Sequence, residues 1–176
     1  MDTVLVLGDQ LNRSIGALSE ADPITHRVLM VESEWKTSQP LHRQRLHLVL
    51  TAMRRFAGEL RSEGFEVDWR MSRNLATGVA EHRVDFAPDR IVATEPLSRA
   101  SDRLLRRSGV DMVGSNQFLC HRDAFAEWAG DRSSLRMEDF YRWQRRRLGY
   151  LMDGDDPAGG RWNFDSENRE PPPPDG

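Results

Sequence analysis

The sequence predicts an α/β domain, an open five-stranded parallel sheet with flanking helices, followed by a helical and linker appendage. Three observations predict it. Five short apolar runs rich in β-branched residues recur over the first 113 residues, helical patterns lie between them, and the runs are continuous rather than alternating. Alternation suits a strand with one wet face, and a continuous run suits a strand covered on both faces, as in a parallel sheet. Strands and helices taken in turn connect by right-handed crossovers.

The first strand is residues 3–7 (TVLVL), closed by Gly8, and residues 27–31 (RVLMV) and 90–94 (RIVAT) have the same texture. Residues 65–69 and 110–113 are shorter versions. The clearest helix is 41–60, where Leu46, Val49, Leu50, Met53, Phe56, Ala57 and Leu60 recur at steps of three and four. That spacing makes one apolar stripe, with Arg43, Arg54, Arg55 and Glu59 on the opposite face, and Gly64 provides an exit. Weaker helices fit 75–83 and 98–107. Beyond residue 115 the texture changes. Residues 121–129 and 137–152 read as helices, with Phe140, Trp143, Leu148 and Leu151 of the second facing inward. Residues 153–160 read as a Gly/Asp loop and 171–174 as four prolines, stiff and extended. The expected organisation is an α/β domain over 1–130, a helix and interdomain segment over 131–170, and a Pro-rich linker stub over 171–176.

At 176 residues and 20.2 kDa the chain has the length of one domain with an appendage. Net charge is −3 with a pI near 6.0, so there is no global basic footprint of a nucleic-acid binder. Lys36 is the only lysine among 25 basic residues. A single cysteine, Cys120, excludes an internal disulfide and any all-cysteine metal site built by this chain alone, and a buried, inert thiol is expected there. No secretory signal and no run long enough to span a bilayer is present, which predicts a soluble cytoplasmic protein without membrane partners.

In open parallel sheets, ligands bind outside the carboxyl ends of the strands, where strand order reverses. That rule selects Gly8, Asp9 and Gln10 after the first strand, Glu32, Ser33, Glu34 and Trp35 after the second, and Glu95 after the fourth. Acidic and amide groups beside an exposed indole suit a flat heterocycle with exchangeable N–H groups. The alternative is that Asp9 only caps a turn and Trp35 only covers the sheet edge. No G-x-G-x-x-G follows the first strand, and the Gly154–Arg161 stretch lacks the Lys-Ser/Thr ending of a P-loop. His42 and His47 are five apart on a helix and do not share a face for a metal. Arg142, Arg145, Arg146 and Arg147, interleaved with Tyr141 and Trp143, could bind nucleic acid. The favoured reading is a solvated or interdomain helix face paired to carboxylates such as Glu138 and Asp139.

Several stretches together resemble one family, the deoxyribodipyrimidine photolyase-related proteins of the bacterial iron–sulfur cryptochrome/photolyase branch. They are Leu7-Gly8-Asp9-Gln10-Leu11, His42 through Ala57 with Ala52-Met53-Arg54-Arg55-Phe56-Ala57, Thr94-Glu95-Pro96, and Met137-Glu138-Asp139-Phe140-Tyr141-Arg142. The last is Gly159-Gly160-Arg161-Trp162-Asn163-Phe164-Asp165-Ser166-Glu167-Asn168-Arg169. The resemblance implies a Rossmann-like antenna domain for light-driven repair of ultraviolet-damaged DNA. Its pocket would hold 6,7-dimethyl-8-ribityllumazine against Gly8, Asp9, Gln10, Glu32, Ser33, Glu34, Trp35, His42, Val49 and Glu95. FAD and a four-cysteine iron–sulfur cluster would belong to a C-terminal helical domain, the expected partner and the route to damaged DNA. The resemblance therefore implies an antenna portion that is not catalytic by itself. The alternative is a non-catalytic interaction module or degenerate remnant that docks a separately encoded FAD domain. Two stretches depart from the family's usual pattern, Trp35-Lys36 with a single His42, and Leu97-Ser98-Arg99-Ala100 after Pro96.

Overall fold

Asp2–Leu5 (β1) is the central strand of a five-stranded sheet in the computed structural model, which describes residues 1–165. The other strands are β2 (His26–Ser33), β3 (Val67–Ser72), β4 (Ile91–Thr94) and β5 (Asp111–Val113). Their order is β3-β2-β1-β4-β5 and every pairing is parallel. This is the Rossmann-like α/β arrangement, and the direction of strand addition reverses at β1. The chain separates into two compact units, Met1–Leu119 and Cys120–Gly176. Residues 166–176, with the proline run and the Ser166-to-Arg169 end of the last motif, lie outside the described residues.

The continuous apolar runs are explained by the two faces of the sheet. Val4, Val6, Val28 and Met30 pack on one face against Ala17 and Leu18 of α1 (Gly16–Ser19) and Met53, Phe56, Ala57 and Leu60 of α3 (Arg43–Ser62). Leu5, Leu29, Val31, Ile91 and Ala93 pack on the other against Val79 of α4 (Leu75–Phe86) and Leu105 of α5 (Arg99–Arg107). Successive residues of a strand point to opposite faces, so burial of both makes every position apolar. Each fully buried Leu, Met or Phe contributes about 1.5–3 kcal/mol relative to exposure. Edge strand β5 departs from the rule, with Asp111 and Val113 exposed.

α4 lies very close to the sheet. A Cβ on Gly78 would sit 2.7 and 2.9 Å from the two Val31 γ-methyls, so only glycine allows this approach. Under the same helix His82 is fully buried. Its Nδ1 lies 2.6 Å from Asp68 Oδ2, and its Nε2 lies 2.9 Å from Thr3 Oγ1. A carboxylate only accepts, so Nδ1 carries the proton and Nε2 accepts from the threonine hydroxyl. Asp68 also accepts from Arg70, which reaches Asp85, and Arg27 stacks on Phe86 beside the imidazole.

Burial pushes the His82 imidazole below its ordinary value of 6.5, outweighing the pull of Asp68, and the cations Arg70 and Arg27 act in the same direction as burial. The unfolded chain therefore takes up this proton first as pH falls. Stability is full above about pH 6.5 and is lost as pH drops from there through the lower folded value. Urea midpoints are expected to fall between about pH 7.5 and about pH 5.5, and equal midpoints at both would contradict the neutral, buried ring.

The second unit is built from α6 (Arg122–Ala129) and α7 (Met137–Leu148). Trp128 meets Phe140 at 5.0 Å and Trp143 at 6.1 Å between ring centroids, and Phe125 joins them. The helix expected over 137–152 stops at Leu148, because Gly149 turns left-handed with φ 69°. Leu151 is consequently exposed rather than inward-facing, and the expected loop contains a small hairpin, β6 (Met152–Asp153) with β7 (Asp156–Pro157). Cys120 is half-buried rather than buried.

The arginine cluster is largely occupied within this unit. Arg145 is buried and donates to the carbonyls of Tyr150, Leu151 and Trp162. Arg142 pairs with Glu138 and, with Arg146, stacks on Trp162, while Arg147 stacks on Trp143.

Candidate functional site

The segments that leave the carboxyl ends of the strands enclose a cavity of about 470 Å³ in the first unit. Gly8 and Asp9 reach it from the loop after β1, and Glu32 and Ser33 from the end of β2. Trp35 and Lys36 belong to α2 (Glu34–Thr37). Asn74 and Leu75 come from the start of α4, and Pro96, Leu97 and Ser98 from the approach to α5. The volume lies in the range of small-molecule sites, about 300–1,000 Å³.

Helix α3 supplies the apolar wall. Within its apolar stripe Met53, Phe56, Ala57 and Leu60 are buried. Leu46, Val49 and Leu50 line the cavity instead, Val49 at 37% exposure. The stripe thus runs past its buried half and faces space. A Cβ on Gly8 would come within 3.0 Å of Met53 Sδ and 3.5 Å of Val49 Cγ1, so glycine lets the β1 loop lie directly beneath this wall.

Asp9 is exposed at the cavity. Its carbonyl accepts from Gln117 at 3.0 Å, and its carboxylate has no partner among the described residues. It makes no turn cap of the kind considered above. Glu32 is nearly buried, and one of its oxygens accepts from Arg54 at 2.8 Å, which holds the carboxylate at the end of β2. Ser33 caps α2, its hydroxyl accepting from the Lys36 amide. Trp35 is 60% exposed and offers the cavity's aromatic surface.

Six of the ten expected site residues therefore line the cavity: Gly8, Asp9, Glu32, Ser33, Trp35 and Val49. The other four stand around it. Gln10 is buried and donates its amide to the carbonyls of Thr94 and Glu95, tying the β1 loop to the end of β4. Its amide N–H groups are spent on that link, which ties the two walls together. Glu95 is half-buried and its amide bonds to Val113. Glu34 opens α2, and His42 caps α3 by accepting from the Gln44 amide.

Several lining residues were not legible as such. Asn74 and Leu75 were missed because the third strand runs on to Ser72, beyond the apolar run that marks its start. Asn74 before an apolar helix is a capping signal that could have placed this strand end, and its side chain does accept from the Thr77 amide at 2.9 Å. Lys36 and Arg45 also reach the cavity. Among the described residues there is no cluster of three or more metal-ligating side chains and no helix long and apolar enough to cross a membrane.

A (6-4) photolyase of Agrobacterium fabrum is 39% identical over 185 residues, an alignment that covers 98% of this chain and 36% of that protein. The chain thus spans about a third of the length of the curated relative it matches. The sequence model of the deoxyribodipyrimidine photo-lyase-related proteins matches residues 4–176. On nearly full-length agreement with that model, the chain belongs to the deoxyribodipyrimidine photo-lyase-related protein family.

Proposed function

We propose that the first unit is an antenna-type domain, which holds a flat aromatic chromophore in the cavity and serves a light-driven DNA-repair flavoprotein. The observation that carries this reading is the apolar stripe of α3. Leu46, Val49 and Leu50 continue a core-facing pattern along the cavity, which the indole of Trp35 also lines. Apolar surface left uncovered inside a concave site favours a ligand that covers it.

The residues present fit 6,7-dimethyl-8-ribityllumazine. The apolar wall and Trp35 suit a flat ring, the Asp9 and Glu32 carboxylates can accept from ring or ribityl donors, and Ser33 and Asn74 add polar groups for the polyol. The chromophore would supply light absorption and pass its excitation to a flavin. FAD and the four-cysteine iron–sulfur cluster fall to residues outside this chain, which has one cysteine. In this reading the partner is a helical FAD domain, in a longer protein or on a separate chain, and damaged DNA is met only through it.

Titration of the purified chain with the lumazine, followed by ligand fluorescence, tests the proposal. A ligand of about two dozen heavy atoms at about 0.3 kcal/mol per atom gives a Kd of about 10 µM. Saturable one-to-one binding near or below that value is expected, and absence of saturable binding overturns the antenna role.

A further inference from the structure

Four ionisable side chains line the cavity, and their signs are segregated. Asp9 and Glu32 sit at the ends of β1 and β2, while Lys36 and Arg45 sit on the wall made by α2 and α3. Glu32 already pairs with Arg54. Neither Lys36 nor Arg45 has a carboxylate partner among the described residues, although acidic side chains are more numerous than basic ones in this chain. From this arrangement we infer that the cavity also takes a heterocycle whose side chain ends in an anionic group, a phosphate, met by Lys36 and Arg45. The inference rests on the reading of the cavity as a chromophore site.

The two helix N-termini at the cavity already have side-chain caps. α4 and α5 both start there, but the Asn74 side chain accepts from the Thr77 amide and the Ser98 hydroxyl accepts from the Ser101 amide. Capped helix ends have fewer free N–H groups for a phosphate. The Ser98 hydroxyl donates to Ser101 Oγ and is likewise engaged. Lys36 and Arg45 are the two cationic side chains in the lining. Both are exposed, and their long side chains can reach a charged tail while the ring lies against Val49 and Leu50. A ring-deep, phosphate-out pose also keeps the anion away from Asp9 and Glu32, which the opposite pose would not.

Riboflavin and its 5′-phosphate are the probes, because they differ only in the phosphate. Two rim ion pairs at the upper end of their usual worth give about thirtyfold tighter binding of the phosphate at low ionic strength. That preference is expected to shrink as salt is added. In the Lys36→Gln/Arg45→Gln double variant the ratio of the two affinities is expected to fall to within about twofold. Equal affinities for the two flavins in the unaltered chain, or a preference that survives the double substitution, overturn the inference and leave the chromophore reading standing. Failure of both flavins to bind while the lumazine binds also overturns the inference alone, and failure of all three overturns the chromophore reading with it.

Discussion

Replacing Gly16 by alanine is expected to destabilise the first unit by about 3 kcal/mol, with the larger part from collision rather than from backbone strain. Gly16 opens α1 with φ +45°, and a Cβ there would lie 2.2 Å from Thr94 Oγ1 and 2.4 Å from Thr94 Cγ2. Left-handed backbone costs a residue with a Cβ about 1–2 kcal/mol, and overpacking a buried contact adds about 1–3 kcal/mol. Thr94 has little room to withdraw. It is buried, its hydroxyl accepts from the Ala17 amide at 2.9 Å, and its carbonyl accepts from Gln10. Gly58 is the matched control, because a Cβ there would meet nothing within 4 Å in an exposed turn of α3. Gly58→Ala is expected to stabilise by about 0.5–1 kcal/mol through helix propensity. Urea unfolding of both variants checks the pair, and a Gly16→Ala midpoint equal to that of the unaltered chain contradicts the close approach of α1 to β4.

Val49→Trp is expected to weaken lumazine binding at least about 100-fold while changing stability by no more than about 0.5 kcal/mol. Val49 stands on the cavity wall, part-exposed, 3.5 Å from where a Gly8 Cβ would be. An indole at that position occupies the space assigned to the ring without displacing any member of the buried cluster around Phe56 and Leu60. Val84→Trp on α4 is the control, since Val84 is exposed and outside the cavity lining. Titration and thermal melts of both variants decide the matter. Unchanged affinity in Val49→Trp would move the site elsewhere on the unit.

The frame of this fold was legible because a parallel strand buried on both faces needs apolar residues at every step, and residues 3–7, 27–31 and 90–94 have them. Short elements left no such mark. α1 and α2 are single turns, too brief for a period to show, and the β6–β7 hairpin rests on the turn around Gly154. Periodicity gave the inward face of α3 correctly but not its cover. Leu46 and Val49 have the same spacing as Met53 and Phe56, and only the end of the sheet separates wall from core. Gln10 and Glu32 were legible as candidates by position. Their partners were not, because Thr94, Glu95 and Arg54 come together only through the crossovers. His82 was silent for the same reason, since Thr3 lies 79 residues away from it.

The central claim is that the cavity beside α3 holds a flat aromatic ligand. Methyl NMR during lumazine titration tests it most directly, because ring currents act only on nearby methyl groups. Saturable shifts at Leu46, Val49 and Leu50 are predicted, with Leu105 and Val110 in the cluster on the opposite face of the sheet unmoved. Saturation without movement at those three residues, or with the largest shifts at Leu105 and Val110, would contradict the account.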